Sequence, residues 1–95
     1  MAAYVIADID VTDPVTYEDY KKLTPALIAA YGGKFVARGG TAEVLEGEWS
    51  PHRIVILEFE SIDQARKWYH SPEYEKPKAL RQSASRGSMI VVDGV

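Results

Sequence analysis

The sequence predicts an α+β domain in the order strand–helix–strand–strand–helix–strand, and three observations carry that prediction. Residues 4–11 alternate with one clearly apolar face, and residues 53–59 carry the β-branched apolar run Ile54-Val55-Ile56-Leu57, both patterns of strands. Asp13-Pro14, Ser61-Ile62-Asp63-Gln64 and Ser71-Pro72 each read as the start of a helix. Gly32-Gly33 and Gly39-Gly40 fall at the junctions between the runs. A chain of 95 residues is the size of one domain, so residues 1–95 are read as a single unit.

Each element follows from local chemistry. Along the first strand, Tyr4 to Val11, Val5, Ala7, Ile9 and Val11 share one face; Tyr4, Ile6, Asp8 and Asp10 share the other. Asp13 caps the first helix, and Pro14 suits its first turn because the N–H it lacks has no partner there. Tyr20, Leu23, Leu27, Ile28 and Tyr31 recur at helical spacing as the inward stripe. Pro25 inside that helix predicts a kink or break near Lys21. Gly32-Gly33 ends it. The second strand, Lys34 to Arg38, is read with Phe35 and Ala37 on one side and Val36 and Arg38 on the other. A bulge is placed at Gly39-Gly40, and strand character resumes at Ala42 to Glu46. Arg53 to Phe59 is the strongest strand, with Ile54, Val55, Ile56 and Leu57. Ser61 and Gln64 form a capping box, and Ile62, Ala65, Trp68 and Tyr69 are the inner face of a short second helix. Ser71-Pro72 starts a further helical segment to about Ala84, and Ser88 to Asp93 is the last strand.

Two β-α-β units in succession, with helices on one face of a four-stranded antiparallel sheet, make a ferredoxin-like fold with expected strand order 4-1-3-2. Ile54 and Ile56 lie opposite Val55, Leu57 and Phe59, so this sheet is apolar on both faces. Helices cover only one. A second copy of the chain is the expected cover for the other, giving a homodimer whose sheets face each other.

Composition narrows the partners. Net charge is −3 and the 11 basic residues are scattered, which argues against nucleic acid. There is no cysteine, hence no thiolate chemistry and no disulfide. No stretch nears the ~20 apolar residues of a membrane helix, and residues 1–10 lack the pattern of a signal peptide. The expected setting is the cytoplasm.

The chain resembles domain-of-unknown-function family 1330, of the dimeric α/β-barrel superfamily, over essentially its whole length. The resemblance rests on Tyr31-Gly32-Gly33, Arg38-Gly39-Gly40, Glu46-Gly47 with Trp49, Arg53 leading into Glu58-Phe59, Ala65 with Trp68-Tyr69, Ser71-Pro72-Glu73-Tyr74, Arg81 and Asp93-Gly94. It implies the ferredoxin-like fold and a homodimer. It implies no catalytic residues. The superfamily also holds haem-degrading members that rely on an asparagine; this chain has none.

The residues themselves point to a polar cleft. Arg38 stands beside two glycines, and its planar guanidinium suits a carboxylate or enolate. Glu58, on the Ile54/Ile56 face, is read either as Arg38's structural ion-pair partner or as a general base, and the two are the candidate catalytic residues. Tyr17, Tyr20, Arg38 and Trp68 are the candidate ligand-binding residues, although the helical spacing of Ile62, Ala65 and Trp68/Tyr69 favours a core role for Trp68. Asp8 and Asp10 share a polar face without histidines at ligand spacing, so no metal site is assigned, and no cofactor is expected. His52 and His70 read as exposed, with no triad partners. The resulting expectation is a metal-free cleft that binds or transforms a planar organic acid. The alternative is a non-catalytic dimeric module whose charged pairs serve only the fold.

Overall fold

A computed structural model describes residues 1–95. The elements run β1 (Ala3–Val11), α1 (Pro14–Ala30), β2 (Lys34–Arg38), β3 (Arg53–Phe59), α2 (Ile62–Tyr69), α3 (Pro72–Ala84) and β4 (Ser85–Asp93). The sheet is antiparallel in the order β2-β3-β1-β4, which is the order expected from the sequence. Alternation along β1 decides the layers. Ala3, Val5, Ala7 and Ile9 are buried under the helices, while Tyr4, Ile6, Asp8 and Asp10 point to the open face.

The core is aromatic. Trp68 packs against Phe59 and Tyr74, with ring centroids 5.4 Å and 4.4 Å away. Tyr20 and Tyr74 share a buried hydroxyl–hydroxyl hydrogen bond of 2.8 Å, which ties α1 to α3. Burial pushes the Tyr20 hydroxyl far above the usual tyrosine range, and the neighbouring Tyr74 adds to the effect. Arg81 is 8% exposed, and its Nε donates to Tyr74 Oη at 3.4 Å. Burial opposes its charge, but the tyrosines around it outweigh that and leave its pKa raised.

The three N-caps form as their sequences direct, but the capping box at Ser61 is only half made: the Gln64 side chain donates to Tyr31 O at 2.9 Å instead of returning to Ser61. Asp13 accepts from Thr16 N, Ser61 from Gln64 N, and Ser71 from Tyr74 N, each as an N-cap. Ser71 is itself buried, and its hydroxyl donates to Trp68 O at 2.7 Å, so it joins the end of α2 to the start of α3. Ser71→Ala is expected to cost about 0.5–2 kcal/mol in urea unfolding. An unchanged midpoint would show that the cap contributes nothing.

Four expectations are corrected. The inward face of α1 is Tyr17, Tyr20, Thr24 and Ile28, while Leu23 is 48% exposed. The inward row runs through a threonine, so the apolar pattern alone mistakes its line. α1 is not broken at Pro25. Residues Ala42–Glu46 form no strand, because β3 already has β2 and β1 as its two neighbours and leaves no free edge. The bulge sits at Val36, between Phe35 and Ala37, rather than at Gly39-Gly40.

Candidate functional site

The Val36 bulge sets the site. Phe35 opposes Leu57, but Ala37 then opposes Ile56 and Arg38 opposes Val55. One extra residue reverses the facing of everything after it. Arg38 therefore lies on the helix side of the sheet with Phe35, its guanidinium 4.4 Å from that ring centre. Glu58 lies on the open side, where Lys34 approaches it at 3.4 Å. The expected Arg38–Glu58 pair is not formed, since the two side chains occupy opposite faces. Glu58 is a rim ion pair of the open face and plays no part in the cleft.

Arg38 instead bridges strand and helix. Proline at position 25 has no N–H to give the carbonyl four residues back, which is that of Lys21. That carbonyl accepts from Arg38 Nη2 at 3.0 Å and from Thr24 Oγ1 at 3.4 Å. Of the kink or break expected from Pro25, the break does not occur: side-chain donors take the freed carbonyl, and Arg38 spans from β2 to α1 beside a cleft between α1 and the sheet.

The cleft is lined by Tyr17, Tyr20, Arg38, Arg53, Val55, Leu57 and Trp68, among others. Three of the four sequence-predicted ligand residues, Tyr17, Tyr20 and Arg38, meet there along α1 and β2. The fourth, Trp68, forms part of the inner wall and is 1% exposed. Four lining side chains are cationic (Lys21, Arg38, Arg53 and Arg81) and none is an aspartate, glutamate or histidine. The cavity measures about 30 Å³. A water needs about 10–15 Å³ on the same scale, so the cleft has room for one or two waters and no more.

Arg53 is the residue the sequence reading missed. It opposes Ile9 in the register, on the same face as Val55 and Leu57. Its guanidinium lies across Gly39, where a Cβ would collide with it, and 5.6 Å from the Tyr17 ring centre. Gly39 also holds φ at +71°, so glycine is required there twice over. The Nε of Arg53 is buried with no hydrogen-bond partner, and no carboxylate approaches its guanidinium. The signal was present in the sequence: period two through Val55 and Leu57 places Arg53 on the cleft face. Trp68 Nε1 is the other buried polar side-chain atom left without a partner.

A second polar cluster lies on the open face. Asp8 accepts from Trp49 Nε1 and from the backbone N–H of His52, both at 2.9 Å. These bonds, the His52 backbone N–H first, hold the Asp8 carboxyl below its ordinary value of 3.8. The His52 ring stands 3.7 Å from Asp8 and 3.9 Å from Asp10. The cluster anchors the end of the β2–β3 connection to β1, which explains both carboxylates structurally. His52 and His70 are exposed. No helix is long and apolar enough to cross a membrane.

A Rhodopseudomonas palustris protein of unknown function, RPA0582, is similar at TM-score 0.80 and 18% identity, covering 99% of this chain and 82% of that one. SnoaB, a cofactor-independent oxygenase from Streptomyces nogalater, is similar at TM-score 0.65 and 17% identity, over 99% of this chain and 92% of its own. A dimeric ferredoxin-like protein of unknown function from Thermobifida fusca is similar at TM-score 0.67 and 16% identity, over 99% and 92%. At these identities the likeness is one of fold. No curated protein matches the chain. The model of the family called Domain of unknown function (DUF1330) matches residues 2–95. Matched over nearly its whole length, the chain belongs to the DUF1330 family.

Proposed function

We propose that this protein binds a small planar organic anion in the cleft between α1 and the sheet, as a homodimer joined through its open sheet faces. The observation that carries the reading is the cleft's charge. Lys21, Arg38, Arg53 and Arg81 line it and no carboxylate does; Lys21 is paired with Glu18 at 3.1 Å, while Arg53 Nε is a buried donor with nothing to donate to. Such a set stabilises an anion already present or one that develops on bound substrate. It supplies no carboxylate or imidazole to remove a proton, so any chemistry falls to the stabilisation of an enolate or phenolate oxygen. A cofactor-independent oxygenase on the same fold, SnoaB, is compatible with that role.

Arg38 is the gate in this reading. Its bond to Lys21 O is to a neutral acceptor. A ligand carboxylate is a stronger one, by about a factor of two in hydrogen-bond strength. Exchange of one for the other frees α1 from β2 and enlarges the closed cavity. The homodimer reading rests on the row Ile56, Ile6 and Ile90, abreast across β3, β1 and β4 on the open face, and on the dimeric neighbours of this fold.

Titration of the protein with benzoate, salicylate and the neutral benzamide tests the site. Benzoate or salicylate is expected to raise the melting temperature, and benzamide is not. Arg53→Met should weaken binding by roughly 10–100-fold, the worth of about 1.5–3 kcal/mol for a hydrogen bond to a charged group. Arg38→Lys, which keeps the charge but loses the planar fork, should fall between. Glu58→Gln should bind as wild type. Equal binding by Arg53→Met and wild type would overturn the site. A flat response to every anion would favour the second reading, a non-catalytic dimeric module. The aromatic filling of the closed cleft by Tyr17, Tyr20, Trp68 and Tyr74 supports that reading.

A further inference from the structure

Three buried polar groups meet where α1 packs on α3. Tyr20 Oη and Tyr74 Oη share a bond of 2.8 Å, and Arg81 Nε donates to Tyr74 Oη at 3.4 Å. Each group brings one hydrogen to this chain: the Nε–H of Arg81 and the two hydroxyl hydrogens. Only two bonds join them, and neither hydroxyl bonds any other group of the protein. One hydroxyl hydrogen is therefore left over.

Burial decides which one. If Tyr20 donated to Tyr74, the orphan hydrogen would sit on Tyr74, which is 0% exposed and does not line the cleft. It would then carry the full cost of desolvation. If Tyr74 donates to Tyr20, the free hydrogen belongs to Tyr20, which does line the cleft. The second arrangement costs less, and it runs one way: from Arg81 to Tyr74, to Tyr20, to the cleft. Such a chain strengthens along its length, because each donor is polarised by the one behind it. Its source is a cation without a counter-ion, since no carboxylate pairs with Arg81. The ionisable groups around Tyr20 are Tyr17 on its own helix and Tyr74 and Arg81 on α3, and the cleft adds no carboxylate or imidazole. Burial holds the Tyr20 hydroxyl far above the usual tyrosine range, so it keeps its proton and serves as a donor, not as a base.

We infer that Tyr20 recognises a second oxygen on the ligand, and that Tyr74 and Arg81 are the residues that position and polarise it. The inference rests on the anion cleft proposed above and narrows its ligand. Arg53 reaches the cleft from β3 and Tyr20 from α1, so the two free donors come from opposite walls. A simple carboxylate held by the arginines leaves Tyr20 without an acceptor. An aromatic acid with a hydroxyl or oxo oxygen remote from its carboxylate satisfies both walls. That oxygen is the one whose negative charge the chain from Arg81 stabilises.

Benzoate, 3-hydroxybenzoate and 4-hydroxybenzoate, titrated calorimetrically into wild type, Tyr20→Phe and Tyr74→Phe, test the assignment. Both variants keep their rings and lose one oxygen each. In wild type at least one hydroxybenzoate is expected to bind roughly 2–10-fold more tightly than benzoate, the worth of one net hydrogen bond. Tyr20→Phe should erase that ratio. The ratio is the reading because a purely structural loss weakens all three acids alike, and a ratio unchanged in Tyr20→Phe overturns the inference. The positioning role has its own signature in the ultraviolet band of the bound hydroxybenzoate. Its phenol is expected to release its proton to solvent at a lower pH when bound than when free, and Tyr74→Phe should return the midpoint toward the free value. The same midpoint bound and free overturns the relay from Arg81. Benzoate bound without preference for either hydroxybenzoate overturns the inference and leaves the cleft standing. A wild-type protein that binds none of the three acids removes both.

Discussion

Trp68→Ala is expected to remove about 3–5 kcal/mol of stability, the usual cost of truncating a buried tryptophan. Trp68 is 1% exposed and lies between Phe59 and Tyr74, themselves 1% and 0% exposed. Both rings are fixed in the packed core, so the truncation leaves a void between them. A domain of this length has roughly 5–14 kcal/mol in total, at about 0.05–0.15 kcal/mol per residue. The substitution therefore takes a large share, and the melting temperature should fall by at least about 12 °C. Trp68→Phe separates packing from polarity. It keeps a ring in place and deletes an N–H that makes no hydrogen bond within the chain, so its cost should be well under that of alanine. Thermal unfolding followed by circular dichroism checks both. A loss below about 1 kcal/mol for alanine would mean that the tryptophan sits in a soft, relaxing pocket rather than at the centre of the core.

What the sequence made legible was whatever depends on near neighbours in the chain. The alternation in β1 and the β-branched run of β3 are written residue by residue, and the cap-plus-proline starts at Asp13-Pro14 and Ser71-Pro72 need only one turn of chain to act. The bulge at Val36 escaped because nothing local marks it. Glycines drew the prediction to positions 39 and 40, yet Gly39 serves a different need, the close passage of the Arg53 guanidinium. That single misplacement moved Arg38 to the wrong face and created an expected pair with Glu58. The cleft itself was read in part. Tyr17, Tyr20 and Arg38 were placed in it from spacing and chemistry, while Arg53 and the freed Lys21 carbonyl were not. Both omissions concern contacts between elements far apart in sequence, where periodicity says which side a residue faces but not what it meets.

Ile6→Asp is expected to convert the protein from dimer to monomer at micromolar concentration. Ile6 lies at the middle of the open face, directly between Ile56 of β3 and Ile90 of β4. Ile90 is 60% exposed and Val92 44% exposed in the single chain, an apolar surface that a lone subunit leaves in water. In a sheet-to-sheet dimer the aspartate would be buried without a partner, at about 3 kcal/mol or more per site. The two-fold axis counts it twice, for about 6 kcal/mol, or on the order of 10⁴-fold in the dissociation constant. Leu23→Asp is the matched control. Leu23 is also exposed and apolar, but it lies on α1, in the layer that covers the opposite face of the sheet. Sedimentation velocity should give a monomer for Ile6→Asp and a dimer for Leu23→Asp and wild type. A dimer for Ile6→Asp with unchanged affinity would exclude the open face as the interface.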